Sequence, residues 1–364
     1  MRSGKPATWG RRTRRRGAVP AAPMAFLGMA LVCASAGCAD LLLSPEPEDS
    51  PPEVAHALWT EVDQYYSYFD VNGVDWDSIG SEYLPRVTPS TPNNELFNVL
   101  SVMLSKLSDG HATLDSPSRH YESDGWYSDY PRNYEPAFVG TYLTQPRGSA
   151  AGGAVIWGRL GAGLGYLRIS TFRQSGIGEG VDAALASLGA SMRGLVLDVR
   201  SNGGGSDRES EAAAGRFTAE RVMYRIVRYK SGPAHDAFGP KEEGWLEPAG
   251  SQRYLGPVAV LTNRGVYSAA EDFLLAMRVL PRVTTVGDTT GGGSGNPMPR
   301  ELPNGWVVHV PRWRIWAADG TFFEGVGLAP DSTVQMTDAD RMKGRDTILE
   351  RAIRIVLAEA NSGS

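Results

Sequence analysis

Three short segments carry residue types suited to acyl transfer. The first ends a strand-like run with a serine, Val258-Ala-Val-Leu-Thr262-Asn-Arg-Gly-Val-Tyr-Ser268-Ala-Ala-Glu271-Asp. A hydroxyl that opens a helix lies beside unpaired backbone N–H groups and the positive end of the helix dipole. A tetrahedral oxyanion formed there could be held by the amide of Ala269. The same position equally suits a plain N-cap serine. The second segment is Gly194-Leu-Val-Leu-Asp198-Val-Arg200-Ser-Asn202-Gly203-Gly204-Gly205, whose glycines let backbone approach closely and aim a further N–H at one oxygen. A glycine run after a strand also fits a phosphate-binding turn. The third is Leu107-Ser-Asp-Gly-His111-Ala-Thr-Leu114, a histidine at a helix-to-strand turn. Neutral imidazole, titrating near ~6.5, is a suitable base for a serine hydroxyl. A structural histidine hydrogen-bonded at a turn is the alternative.

Other chemistries find no support. No His-Glu-x-x-His, Ser-x-x-Lys, Gly-x-Ser-x-Gly or P-loop pattern occurs, and the five histidines (56, 111, 120, 235 and 309) lie far apart in sequence, so no metal site is read and no cofactor is expected.

The elements that must hold these segments can be read from periodicity. Val54, Leu58, Val62, Tyr65, Tyr66 and Phe69 recur at helical spacing, Trp76 to Tyr83 reads as a second helix, and Leu96, Val99, Leu100, Met103, Leu104 and Leu107 mark a third, stopped by Gly110. A small helical subdomain over 54–114 follows. Residues 115–163 are rich in Tyr, Pro, Gly and Ser, with strand-like pieces at Phe138–Leu143 and Ala154–Trp157. From 164 to 360 strands and helices alternate, the signature of a layered α/β domain.

In this order, the three segments resemble the tail-specific (C-terminal processing) serine peptidase family, which includes the tricorn core peptidase and the retinoid-binding-protein modules. The resemblance spans residues ~54–335 and implies an α/β fold with a crotonase-like layered βαβ core. It implies Ser268 as nucleophile, with backbone of Gly204 and Ala269 as oxyanion donors. Members of the Ser/Lys type carry their lysine in a Thr-x-Gly-Lys-Gly stretch; here Gly287-Asp-Thr-Thr290-Gly-Gly-Gly293 puts Gly293 at that place, and glycine accepts no proton. The tricorn-like branch uses histidine, and His111 matches its position. Glu324, in Phe323-Glu-Gly-Val-Gly-Leu-Ala-Pro-Asp331, resembles the family's acidic partner. Asp109 competes for that role, although its spacing suits a turn; a solvated loop acid is the alternative for Glu324. Many members insert a PDZ domain that captures C-termini by strand addition. Residues 115–163 are too few for one, so selection of a polypeptide substrate is expected to rest on the cleft. The same scaffold in the retinoid-binding relatives implies an alternative, a peptide- or apolar-ligand-binding module without turnover. A crotonase-like acyl-thioester enzyme would need an adenine-binding surface that the sequence does not offer.

Charge divides the chain of 364 residues unevenly. Residues 1–37 hold seven bases and no acid, then an apolar stretch from Ala18 to Leu31 and small residues before Cys38. That pattern reads as a secretory signal of lipoprotein type, with Cys38 as the lipidated residue and membrane anchor, or as an ordinary secretory signal cut nearby. Sec and twin-arginine export both stay open. The remaining 38–364 carry 29 bases against 41 acids, and 38–53 is a proline- and acid-rich tether. An acidic exported body argues against a nucleic-acid partner.

Overall fold

The computed structural model describes residues 49–123 and 130–362. The leader expected at 1–37, the lipidation site Cys38 and residues 38–48 of the tether lie outside the described residues.

The apolar runs form a sheet with both faces covered. Its seven strands lie in the order Ser332–Thr333, Val283–Gly287, Val258–Thr262, Gly194–Asp198, Leu164–Ile169, Val155–Arg159 and Thr144–Ala150. The first five are parallel and the last two antiparallel. Side chains alternate across a strand, so a strand buried on both faces reads as continuous apolar sequence. Leu195, Leu197, Val258 and Val260 pack with Val181 and Leu185 of the helix Ile177–Leu188 and Phe273 and Leu274 of the helix Ala269–Arg278. Their neighbours Val196, Ala259 and Leu261 face the opposite way, onto Ile348, Leu349, Ala352 and Val356 of the helix Thr347–Ser362.

The helical region does not close its core alone. Helices Pro51–Tyr65, Trp76–Tyr83 and Asn93–Ser105 bury Val54, Leu58, Val62, Trp76, Leu96 and Leu100 together with Leu302, Trp306, Val308 and Val310, which come from far along the chain. Those four belong to the hairpin of Pro297–Glu301 and Val307–Pro311 and its connection, and Val307–Pro311 also pairs antiparallel with Thr113–Asp115. The histidine turn is thereby tied to the C-terminal half, with Thr113 opposite His309.

Three local readings need correction. Residues expected as a strand at Phe138–Leu143 form the helix Pro136–Tyr142, which Pro136 opens after Glu135 accepts the Ala137 N–H. The first helix starts at Pro51 inside the proposed tether, because proline is tolerated in a first helical turn. The helix between the first two parallel strands spans Ile177–Leu188, framed by Gly176 (φ 81°) and Gly189 (φ 77°). Before His111, Ser108 rather than Gly110 adopts the left-handed conformation, at φ 51°.

A buried ionic knot fixes the end of the central strand. Arg200 donates through Nε and Nη2 to Asp198, at 3.0 and 2.6 Å, and through Nη1 to Asp346 at 3.0 Å. All three residues are buried. No helix among the described residues is long and apolar enough to cross a membrane.

Candidate active site

Ser268 occupies the N-cap position of the helix Ala269–Arg278 but does not act as a cap. Its φ is 58° and ψ −132°, whereas N-caps take extended values, and its side chain accepts no helix N–H. Such a backbone costs on the order of 1–3 kcal/mol and persists when the surroundings over-determine it. Here the Ser268 N–H donates to Gly293 O at 2.9 Å, and its carbonyl accepts from Glu271 N at 2.7 Å and Asp272 N at 3.2 Å. The strand Val258–Thr262 delivers this turn at the carboxyl edge of the sheet.

Each glycine of 203–205 has a different surrounding. A Cβ on Gly204 would stand 2.7 Å from Ser268 Cβ and 2.9 Å from Ala269 N; one on Gly205 would meet the Phe172–Arg173 backbone at 2.2 Å; Gly203 faces open space. Close approach is therefore required at two of the three. The Ala269 N–H has no acceptor among the described residues, so it can receive a developing oxyanion. The Gly204 N–H is already engaged by Asn202 Oδ1 at 2.9 Å, and Asn202 Nδ2 is held by Ile169 O at 3.2 Å. The phosphate-turn reading fares poorly, since the following helix Asp207–Ala214 carries Asp207 and Glu209 in its first turn.

His111 meets Ser268 in one cavity of about 430 Å³, which also exposes Gly203, Gly205, Ala269, Ser294 and Trp313. The imidazole is buried, its Nδ1 has no hydrogen-bond partner among the described residues, and its main-chain N–H donates to Asp109 Oδ1 at 2.8 Å. Burial pushes it down to about 4, so it is neutral at physiological pH. Its ring stacks on Tyr267, with centroids 4.6 Å apart and planes at 26°.

Asp109 serves the turn, as its spacing suggests: besides the His111 N–H it accepts the Tyr66 hydroxyl at 2.9 Å. Glu324 is no solvated loop acid. It is buried and accepts both the N–H and the hydroxyl of Ser294, at 2.8 and 2.7 Å. It borders a separate cavity of about 90 Å³ with Asp109, and reaches the cavity lined by Ser268 through Ser294 rather than through His111. Burial first, and the charge of Asp109 second, raise the Glu324 carboxyl well above the usual range.

Gly293 packs directly against Tyr267. A Cβ there would lie 1.9 Å from Tyr267 Cζ and 2.1 Å from its hydroxyl oxygen. The aromatic ring fills the volume a side chain at 293 would use. Behind it, Glu271 accepts from Gly292 N at 2.7 Å, Gly293 N at 2.8 Å and the Thr290 hydroxyl, while burial pushes its carboxyl up to about 7. Tyr267, Ser294 and Glu271 thus shape the site although the sequence singled out none of them for a role; their adjacency to Ser268 and Gly293 was the available signal. Asp207, which also lines the cavity and is raised to about 7 by burial and then by Asp272, adds acidity that periodicity did not reveal.

Comparison with known proteins agrees with this geometry. The model of peptidase family S41 matches residues 163–334, and the tricorn protease C1 domain matches 47–105. A candidate peptidase from Parabacteroides merdae, known from its crystal structure, superposes with a TM-score of 0.78 at 38% identity, over 86% of this chain and 99% of that one. Tricorn protease of Thermoplasma volcanium is 28% identical over 203 residues, which is 55% of this chain and 18% of that protein. The carboxy-terminal processing protease CtpA of Bacillus subtilis is 27% identical over 177 residues, 48% of this chain and 36% of that protein. The chain thus spans little more than a third, or less, of these two relatives. With its serine, glycine and histidine segments folded around one cavity, the chain belongs to peptidase family S41.

Proposed function

We propose that this chain is a serine endopeptidase that cleaves polypeptides through an acyl-enzyme on Ser268, with His111 as general base. The observation that carries this reading is the shared cavity: an uncapped, strained Ser268 and a neutral, buried His111 line the same space. In this account the Ser268 hydroxyl attacks the scissile carbonyl carbon while its proton passes to His111. The Ala269 N–H stabilises the oxyanion, joined by the Gly204 N–H as that donor divides between Asn202 and the new charge. His111 then protonates the leaving amine, and water attacks the ester by the reverse route. Glu324 supports the site through Ser294. Substrate selection rests on the cleft.

A second reading, a peptide- or apolar-ligand-binding module, is favoured by one observation: the Gly204 N–H is held by Asn202. Labelling with a serine-reactive fluorophosphonate separates the two. The enzyme labels at Ser268, whereas the binding module, properly folded, does not.

We further propose that the protein is exported and tethered at Cys38 on the outer side of a bacterial membrane. The basic, acid-free leader and the acidic body support this. Fractionation tests it: wild type should sediment with membranes and Cys38→Ala should be recovered in soluble form. Equal distribution of both would contradict the anchor.

A further inference from the structure

A base histidine is ordinarily oriented by a hydrogen bond from its second ring nitrogen to an acid or carbonyl. Among the described residues His111 shows no such device: its Nδ1 has no partner there, and Asp109 contacts its main chain instead. What touches the imidazole face is Tyr267. That residue is firmly placed. Its N–H donates to Asn202 O at 3.1 Å, its carbonyl accepts from Ala270 N at 3.1 Å, and its ring occupies the space kept open at Gly293.

We propose that Tyr267 is the positioning residue of this site: seated against Gly293, its ring holds the His111 imidazole face-on and keeps water from it, in place of an acid–imidazole hydrogen bond. The two departures from the Ser/Lys pattern, Gly293 and the histidine, are then one device. A side chain at 293 would expel the ring that the histidine needs. Aromatic stacking fits the task because it fixes a plane without donating or accepting the proton in transit. The hydroxyl stays protonated, raised by burial and by the carboxyls of Asp109, Glu324 and Glu271. Other ionisable groups facing the cavity are Glu122, Arg173, Asp207 and Asp272.

The inference rests on His111 acting as the base, so its test pairs a turnover-dependent readout with an independent one. The first is the rate of fluorophosphonate labelling; the second is the titration of isotopically labelled His111 by NMR in a Ser268→Ala background. Tyr267→Leu should slow labelling on the order of tenfold to a hundredfold, the scale expected for a misplaced catalytic group. It should also move the His111 titration from about 4 upward toward its ordinary value. Tyr267→Phe, which keeps the ring, should restore both. Near-UV circular dichroism checks folding, and Tyr267→Met replaces the leucine variant if that fails to fold. Unchanged labelling and titration in the folded leucine or methionine variant would overturn the proposal, as would a phenylalanine variant as impaired as either. If wild type does not label while the titration still follows the ring, the hydrolase reading fails and the placement by Tyr267 stands.

Discussion

The Tyr267 ring and Gly293 compete for one volume: a methyl group added at 293 would lie 1.9 Å from Cζ of the ring. The ring is half-buried, stacked on His111 and anchored through its main chain to Asn202 and Ala270, so it cannot move aside without giving up that stack. Gly293→Ala should therefore destabilise the fold by about 1–3 kcal/mol, the usual cost of overpacking, and slow labelling of Ser268. Urea denaturation measures the first effect; an unchanged midpoint would contradict the close fit. Gly293→Lys should not create a Ser/Lys pair, since it removes the ring from its seat.

Backbone strain at Ser268 makes an unusual order of stabilities. Glycine relieves a positive φ that alanine retains. Ser268→Gly should be more stable than Ser268→Ala by about 1 kcal/mol, although glycine normally loses to alanine near a helix. Thermal unfolding of the two variants gives the comparison. The reverse order would mean that the turn is not strained.

The buried imidazole gives a pH signature. Its folded value of about 4 lies below the ordinary value near ~6.5, so between these the unfolded chain binds the proton and the native chain does not. The corresponding stability is present above the unfolded value and is lost as pH falls toward 4, on the order of 3 kcal/mol. Glu271 and Asp207, raised to about 7, act in the opposite sense and favour the folded state as they protonate. The His111 contribution is therefore isolated as a difference: stability of wild type minus that of His111→Asn should fall with pH through this window. A flat difference would place the histidine in water. Labelling by wild type should likewise persist to well below pH 6.5.

The ionic knot beneath the site predicts a larger loss. Arg200→Met leaves Asp346 without its cation and Asp198 with only Arg168, at 3.6 Å. Removing one partner of a buried pair costs about 3–5 kcal/mol. Chemical denaturation checks this; a loss below about 1 kcal/mol would mean that water reaches the knot.

How far the sequence disclosed this site depends on the length scale of each contact. The strands Gly194–Asp198 and Val258–Thr262 were legible because burial on both faces leaves an unbroken apolar run. Ser268 and Gly204 were legible because their demands are local: a helix start and a close approach. Three features were not. The helical region borrows Leu302, Trp306, Val308 and Val310 for its core, and no periodicity near residue 54 announces them. The strand-like piece expected at Phe138–Leu143 lies instead in a helix that Pro136 and the preceding Glu135 start. Tyr267 and Gly293 are separated along the chain, and only the fold shows that one fills the place of the other's missing side chain.

The most direct test of the central claim is fluorophosphonate labelling of purified protein, comparing wild type with Ser268→Ala and His111→Ala. The account predicts strong labelling of wild type that disappears in both variants, with the adduct on Ser268. Labelling that survives in His111→Ala, or none in folded wild type, would contradict it.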